Sequence, residues 1–217
     1  MDSKSMNPQN IDFQTEQEKF WSQEFGDEYT HRNQGKISIA SNLALFSKIL
    51  ARTQNINSLI EFGANRGLNI EAIKQLMPKI KISAIEINNL AVEKLQQIGG
   101  EIEIYHQSIL NFIPTKIWDF VLIKGVLIHV NPDYLKKVYE TLYQSSSRYI
   151  CLVEYYNPTP VEVIYRGHQG KLFKRDFAGE MLDQYLNLHL VDYGFVYHRD
   201  RNFPQDDLTW FLLEKIS

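Results

Sequence analysis

Residues 58–69, SLIEFGANRGLN, constrain the fold more than any other stretch. The apolar run Ser58-Leu-Ile-Glu-Phe62 reads as a buried strand. Gly63-Ala-Asn-Arg-Gly67 reads as a turn, and a helical pattern follows over residues 68–77. A strand, a glycine turn and a helix in that order suit a nucleotide-like ligand. Glycine lets the backbone approach the ligand, and the helix start offers free N–H groups. The spacing differs from the dinucleotide fingerprint G-x-G-x-x-G. It reads Glu61-x-Gly63-x-Asn65-x-Gly67, and Asn65 can adopt the left-handed conformation that a middle glycine would take. A plain βα turn in another α/β protein fits this stretch as well.

The 217 residues suffice for one sizeable domain, and 44% hydrophobic with 23% charged residues is ordinary for a soluble globular chain. A net charge of −3 gives no overall attraction to nucleic acid or to an anionic membrane, so neither is expected as a partner. The single cysteine, Cys151, lies in the apolar run RYICLVEYY and reads as a packing residue. It excludes an intrachain disulfide and makes a reducing cytoplasm the expectation. No apolar run is long enough to span a membrane. His106, His129, His168, His189 and His198 show no compact ligand spacing, so no metal is expected.

Residues 1–11 read as a loose terminus. Thr15 and Glu18 fit a capping box that starts a short helix carrying Phe20, Trp21 and Phe25. Gly26-Asp27 reads as its end. A second helix is expected over residues 37–52, with Ile39, Leu43, Phe46 and Leu50 on one face. From Ser58 strands and helices alternate. Strands are expected at 58–62, 80–87, 102–105, 118–123, 149–154, 190–198 and 208–214, and helices at 68–77, 90–98, 132–144 and 177–188. Residues 156–176 read as irregular. This alternation implies an α/β fold with a parallel sheet covered on both faces, and the last two strands, joined without a helix, imply an antiparallel end. Residues 1–54 form an N-terminal helical lid and residues 55–217 one compact domain in this reading.

The pattern E-x-G-x-G-x-G, here with Asn65 in the middle, resembles the first motif of the class I S-adenosylmethionine-dependent methyltransferases. The resemblance implies a Rossmann-like, seven-stranded, mostly parallel sheet of order 3-2-1-4-5-7-6 with ligands at the carboxyl ends of the strands. It implies S-adenosylmethionine as cofactor, with S-adenosylhomocysteine as product. Glu61, Gly63, Ala64, Asn65 and Gly67 would meet its methionine end. Glu86, 23 positions after Gly63 (86 − 63), has the spacing of an acidic residue that accepts ribose hydroxyls, with Ile87 beside it. Gln107, Ser108 and Ile109 fall where the family contacts the adenine edge. Lys124, Gly125 and Val126 open the stretch KGVLIHV, which resembles the G-V-L-x-H-V segment of many small-molecule methyltransferases, and His129 would face the reaction side. A packed or capping histidine is the alternative.

The stretches FWSQEFGDEYTHRN, EFGANRGLNI, KGVLIHVNP and EYYNPTPVEVIYRGHQGKLFKRDFAGE together resemble the pseudaminic acid biosynthesis-associated methylases. That resemblance implies a small polar acceptor, a sugar or an anionic sugar derivative of a nonulosonate pathway, methylated on O or N. His129 and Glu154 are the candidates for a base that removes the acceptor proton. Tyr29, Arg32 and Asn33 of the N-terminal segment could reach the methionine carboxylate, Arg32 through its fork of donors. Tyr155, Tyr156, Arg166, Lys171 and Arg175, with His168 and Lys174 among them, make a local basic stretch suited to an anionic acceptor. A monomer and a homodimer are both compatible with the sequence. The rival readings are an NAD-type oxidoreductase, which the glycine pattern disfavours, and a catalytically silent Rossmann-like domain that binds a nucleotide or a partner.

Overall fold

The computed structural model describes residues 13–32 and 36–216. The expected loose terminus at 1–11 and Asn33 lie outside the described residues. In chain order the elements are α1 (Glu16–Ser22), α2 (Glu24–Arg32), α3 (Lys36–Leu50), β1 (Ser58–Phe62), α4 (Leu68–Leu76), β2 (Lys81–Glu86), α5 (Asn89–Leu95), β3 (Ile102–His106), β4 (Trp118–Lys124), α6 (Leu135–Ser145), β5 (Ser146–Glu154), β6 (Val161–Glu162), β7 (Phe173–Lys174), α7 (Phe177–Gln184), β8 (Leu188–Val196) and β9 (Leu208–Lys215). One-turn 3-10 helices occupy Leu127–His129 and Pro132–Tyr134.

Seven strands form one sheet in the order β3-β2-β1-β4-β5-β9-β8. Counting only these seven, the order is the expected 3-2-1-4-5-7-6. The strands from β3 to β5 run parallel, while β9 is antiparallel to both β5 and β8. The central strands are mostly apolar and buried because both faces are covered. Pleating sends Val121 and Ile123 of β4 to one side, with Leu135, Val138 and Leu142 of α6. Phe120 and Leu122 go to the other, with Phe46, Ile70 and Leu95 of α3, α4 and α5. Cys151 is fully buried in that second layer, as a packing residue would be.

Thr15 and Glu18 make both bonds of the capping box that starts α1. The break after α1 falls at Gln23 rather than at Gly26-Asp27. Gly26 sits buried inside α2, and a Cβ there would lie 1.8 Å from the carbonyl oxygen of Trp21. Glycine at this position therefore allows close packing of α1 on α2; it does not end a helix. On α3 the buried stripe is Leu45, Phe46 and Ile49, with Leu43 and Leu50 at its margins. The buried stripe is displaced by about one residue from the expected Ile39, Leu43, Phe46 and Leu50. Residues 156–176 contain a small antiparallel ribbon, β6–β7, in place of a fully irregular stretch.

Candidate functional site

A cavity of about 520 Å³ opens at the carboxyl ends of β1, β2, β3 and β4, roofed by α1 and α2. This is the switch point of the sheet, where β1 and β4 leave the strand order in opposite directions, and the volume is that of a small-molecule site.

The β1–α4 turn forms its floor. Gly63, at φ +71°, and Ala64 both donate to the carbonyl of Ile85, which ties the turn to β2 (2.9 and 3.1 Å). Asn65 is left-handed at φ +48°, the conformation that lets asparagine stand in for glycine. Its backbone N–H donates to Glu86 Oε2 at 2.6 Å, and its side-chain oxygen accepts from Thr30 of α2 at 3.3 Å. Glu86 also accepts from Ile87 (2.9 Å) and Asn88 (2.8 Å), so a carboxylate that looks like a solvated strand end is buried and held by three backbone donors. Burial pushes its pKa up, and those three bonds oppose the rise. Gly63, Ala64, Asn65, Glu86 and Ile87 all line the cavity, as do Gln107, Ser108 and Ile109 after β3.

Gly67 does not line the cavity. At φ +84° it caps α4, and a Cβ there would strike Leu95 (2.7 Å) and Ile98 of the α5 side. Its glycine serves packing, not ligand approach. Glu61 also lies outside the lining, fully buried beneath it, with Oε1 accepting from Asn69 (2.6 Å) and Oε2 unpartnered. Desolvation raises its pKa to about 8, against the Asn69 bond and the nearby Lys124 charge. Asn69 itself reaches the cavity.

After β4, Lys124, Gly125 and Val126 line the cavity. Burial lowers the Lys124 pKa, opposed by Glu61, Asp206 and Glu154. Gly125, at φ +66°, has nothing within 4 Å of where a Cβ would stand. His129 follows on the 3-10 turn and also faces the cavity. Its Nδ1 lies 2.5 Å from the carbonyl oxygen of Lys171. A carbonyl can only accept, so Nδ1 carries the proton and Nε2 keeps its lone pair. Burial lowers the His129 pKa to about 4, despite that bond.

Glu154 is corrected by its location. It lies under the 126–127 turn, where Oε1 accepts the N–H groups of Val126 (3.0 Å) and Leu127 (2.9 Å), and it does not line the cavity. These N–H groups have no helical partner, so the strand-end carboxylate is drawn beneath them. Glu154 therefore positions the segment that carries His129 and does not face an acceptor as a base. Desolvation raises its pKa to about 7, against those backbone bonds and the Lys124 charge.

The remaining expected residues divide. Tyr29 lines the cavity, and its neighbour Trp21 packs 4.4 Å from the His129 ring. Arg32 does not: it is exposed, 3.8 Å from Glu28 one turn back and over the ring of Phe25. Tyr155 and Tyr156 point to opposite faces at the strand end. Tyr155 hydrogen-bonds Asp206, which lines the cavity, whereas Tyr156 is exposed against Phe211. The basic stretch does not converge. Arg166 is exposed above Tyr165, Lys171 lies 3.8 Å from Glu16, Lys174 sits over the Tyr155 ring and Arg175 bonds Glu180 at 2.5 Å. None of the four lines the cavity.

The structure adds cavity residues that the sequence reading passed over. Ser38, Ser41 and Asn42 stand at i, i+3 and i+4 on α3, a polar face on an otherwise apolar helix. That interruption was visible in the sequence. Gln205 and Asp206 come from the loop between β8 and β9, and Gln205 Nε2 donates to the carbonyl of Ser41 (2.8 Å). Its length, too great for a tight hairpin turn, was the available signal. Glu18 does more than cap: Oε2 closes the capping box while Oε1 accepts from the Ser108 hydroxyl, latching α1 to the loop after β3. Among the described residues no three His, Cys, Asp or Glu side chains group as a metal site, and no helix is long and apolar enough to cross a membrane.

No protein-family model matches the chain, and no curated protein matches it in sequence. Solved structures do match. The plantazolicin methyltransferase BpumL in complex with SAH is 13% identical, covers 93% of this chain and 94% of its own, and superposes with a TM-score of 0.64. The magnesium protoporphyrin IX methyltransferase ChlM from Synechocystis PCC 6803, with bound SAH, is 12% identical over 92% of this chain and 98% of its own (TM-score 0.64). An S-adenosylmethionine-dependent methyltransferase from Clostridium acetobutylicum ATCC 824 is 11% identical over 89% and 100% (TM-score 0.61). At these identities the likeness is one of architecture, and with the strand order it leads to one conclusion: the chain has the Rossmann-like fold of the class I S-adenosylmethionine-dependent methyltransferases.

Proposed function

We propose that the protein is an S-adenosylmethionine-dependent methyltransferase acting on an O or N of a small polar acceptor. The observation that carries this reading is the shared cavity. The left-handed Gly63–Asn65 turn, the buried Glu86 carboxylate and the open backbone at Gly125 all face one space at the switch point. Glu86 keeps lone pairs beyond its three backbone bonds and would accept ribose hydroxyls through them. The absence of a Cβ at Gly125, where that position is open space, would admit the methionine part. When bound, the cofactor supplies a methyl on a sulfonium leaving group, so the protein's own work is positioning and proton handling.

Trp21 and Tyr29 of the lid would exclude water from the transfer. His129 Nε2, unprotonated and on the cavity wall, would accept the proton of a hydroxyl acceptor as the new bond forms. A sugar or nonulosonate-pathway acceptor is the class that the resemblance to the pseudaminic acid-associated methylases supports. The dispersed basic residues at 166–175 add no anion site to that reading, so neutral and anionic sugars belong in the same screen.

Calorimetric titration with S-adenosylhomocysteine and, separately, with NAD tests the cofactor: binding of the first and not the second is expected, and the reverse would remove the reading. His129→Asn should lower turnover by about 10²-fold or more with little change in cofactor affinity. Because burial holds the His129 pKa near 4, the acid limb of the wild-type rate profile should lie near pH 4, well below that of an ordinary histidine.

A further inference from the structure

The cavity extends beyond the end that the cofactor reading uses. Its far wall is made by Gln205 and Asp206 of the loop between β8 and β9 and by Ser41 and Asn42 of α3. In the sheet order β2-β1-β4-β5-β9, four spacings separate this end from β2, which carries Glu86, or roughly 19 Å at about 4.8 Å per strand. Gln205 donates to the Ser41 carbonyl at 2.8 Å, and that bond brings the next residue of each segment, Asn42 and Asp206, to adjoining parts of the lining. Asn42 is 5% exposed, and its side chain makes no hydrogen bond to a described residue. Yet neither polar atom of its amide is closed to solvent, as the Ser41 hydroxyl is, so the surface that Asn42 keeps opens on the cavity it lines. Asp206 is exposed and accepts the Tyr155 hydroxyl, which leaves other lone pairs of its carboxylate open. Positive charge at this end is opposed: His198 lies 2.8 Å from Asp207, and Lys124 stands in the field of Glu61, Asp206 and Glu154.

We propose that Asn42 of α3 and Asp206 of the β8–β9 loop form the acceptor subsite and select a neutral polyhydroxylated ring, a sugar without a carboxylate. This inference rests on the methyltransferase reading and narrows its acceptor. An amide offers two donors and an acceptor, and a carboxylate only accepts; together they match neighbouring hydroxyls, each of which donates and accepts. A carboxylated sugar is disfavoured, because its charge meets that of Asp206 where the nearby cations are already opposed. In the sheet order β4, which leads into His129, lies between the two ends, so the proton acceptor stands between the cofactor and this subsite. Asn42 and Asp206 are then specificity-determining residues, drawn from two segments that meet only in the folded chain.

The test measures methyl transfer from S-adenosylmethionine to methyl glucoside, methyl galactoside and methyl N-acetylglucosaminide, and to the uronic acids of the first two, with S-adenosylhomocysteine affinity measured by calorimetry on the same proteins. Wild type should favour the neutral glycosides by about tenfold or more in kcat/KM. Asn42→Leu should lower kcat/KM for them by about 10–100-fold, with S-adenosylhomocysteine affinity within about twofold of wild type. Asn42→Ser serves if the leucine variant does not fold. Asp206→Asn, at an exposed position, should reduce the preference for neutral over uronate acceptors to within about threefold. Uronates turned over as well as neutral glycosides, or no glycoside turned over by a protein that binds S-adenosylhomocysteine, would overturn the inference and leave the cofactor reading standing. Variants that lose S-adenosylhomocysteine affinity would do the same, by giving both residues to the cofactor. A wild-type protein that does not bind S-adenosylhomocysteine would remove the methyltransferase reading and this inference together.

Discussion

Residues 58–131 and residues 154–176 both leave the carboxyl edge of the sheet, yet they use their polar groups in opposite ways. In the first region the groups either face the cavity or fasten one loop to the next: Glu86 holds the turn after β1, and Asn65 reaches back to Thr30. In the second region each basic side chain is engaged locally, Arg175 with Glu180, Lys171 near Glu16 and Lys174 on the Tyr155 ring. What this segment contributes inward is backbone: the carbonyls of Gly170 and Lys171 orient Gln17 and His129. A high density of charge along a chain is therefore no measure of charge in a site. Flexible cations find the nearest carboxylate or ring, whereas short side chains at strand ends go where the backbone sends them.

The contrast can be broken most severely at Gly63. Gly63→Val should abolish S-adenosylhomocysteine binding in a folded protein, since φ is +71° and a Cβ would stand 2.5 Å from Val126. Calorimetry with circular dichroism on the same sample checks this, and wild-type affinity would discard the turn as the cofactor floor. Glu86→Ala should weaken the same binding by about 1.5–3 kcal/mol, because the ligand loses a charged acceptor and three backbone donors lose theirs.

Glu154→Gln separates a positioning carboxylate from a catalytic one. The folded pKa, raised by burial to about 7, exceeds the ordinary 4.5, so the native state holds a proton that the unfolded chain releases. That contribution is present below pH 4.5 and is lost as pH rises through 7. Wild type should therefore lose stability relative to Glu154→Gln across this window, by on the order of 3 kcal/mol. Melting temperatures of the two proteins at matched pH values decide it, and parallel curves would refute the assignment. The smallest effects are expected in the second region. Arg166→Ala should leave the acceptor KM and turnover within about twofold, as for an exposed surface residue, and Arg175→Ala should cost about 1 kcal/mol or less of stability with a similarly small effect on rate. A rise in acceptor KM of tenfold or more in either variant would restore the ribbon as an anion site.

Much of the first region was legible because its signals are local. The turn 63–67, the acidic residue 23 positions on and the segment after β4 each follow a strand of the βα series, where periodicity and glycine placement speak directly about backbone shape. The alternation gave a parallel sheet with an antiparallel end, and the strand order came from the family resemblance. What misled was any inference about where a side chain ends. Glu154 ends β5 and Tyr155 follows it, but the unpartnered N–H groups of the 126–127 turn draw the first beneath them while the second bonds Asp206. Arg32 reads as a fork for a carboxylate, yet Glu28 one turn back is nearer. The polar face of α3 and the length of the β8–β9 loop were visible, but that they meet at the cavity depends on tertiary closure, which no short window of sequence encodes.

That closure sets an order in time. Gln205 of the β8–β9 loop bonds the Ser41 carbonyl across 164 positions of sequence, so this wall of the cavity emerges well after β1 to β4 during synthesis. A nascent chain can assemble β1 to β4 and their helices while the cavity still lacks one side. Ligand binding therefore offers the growing chain little protection until this hairpin has left the ribosome, and its stabilising effect falls on the finished protein.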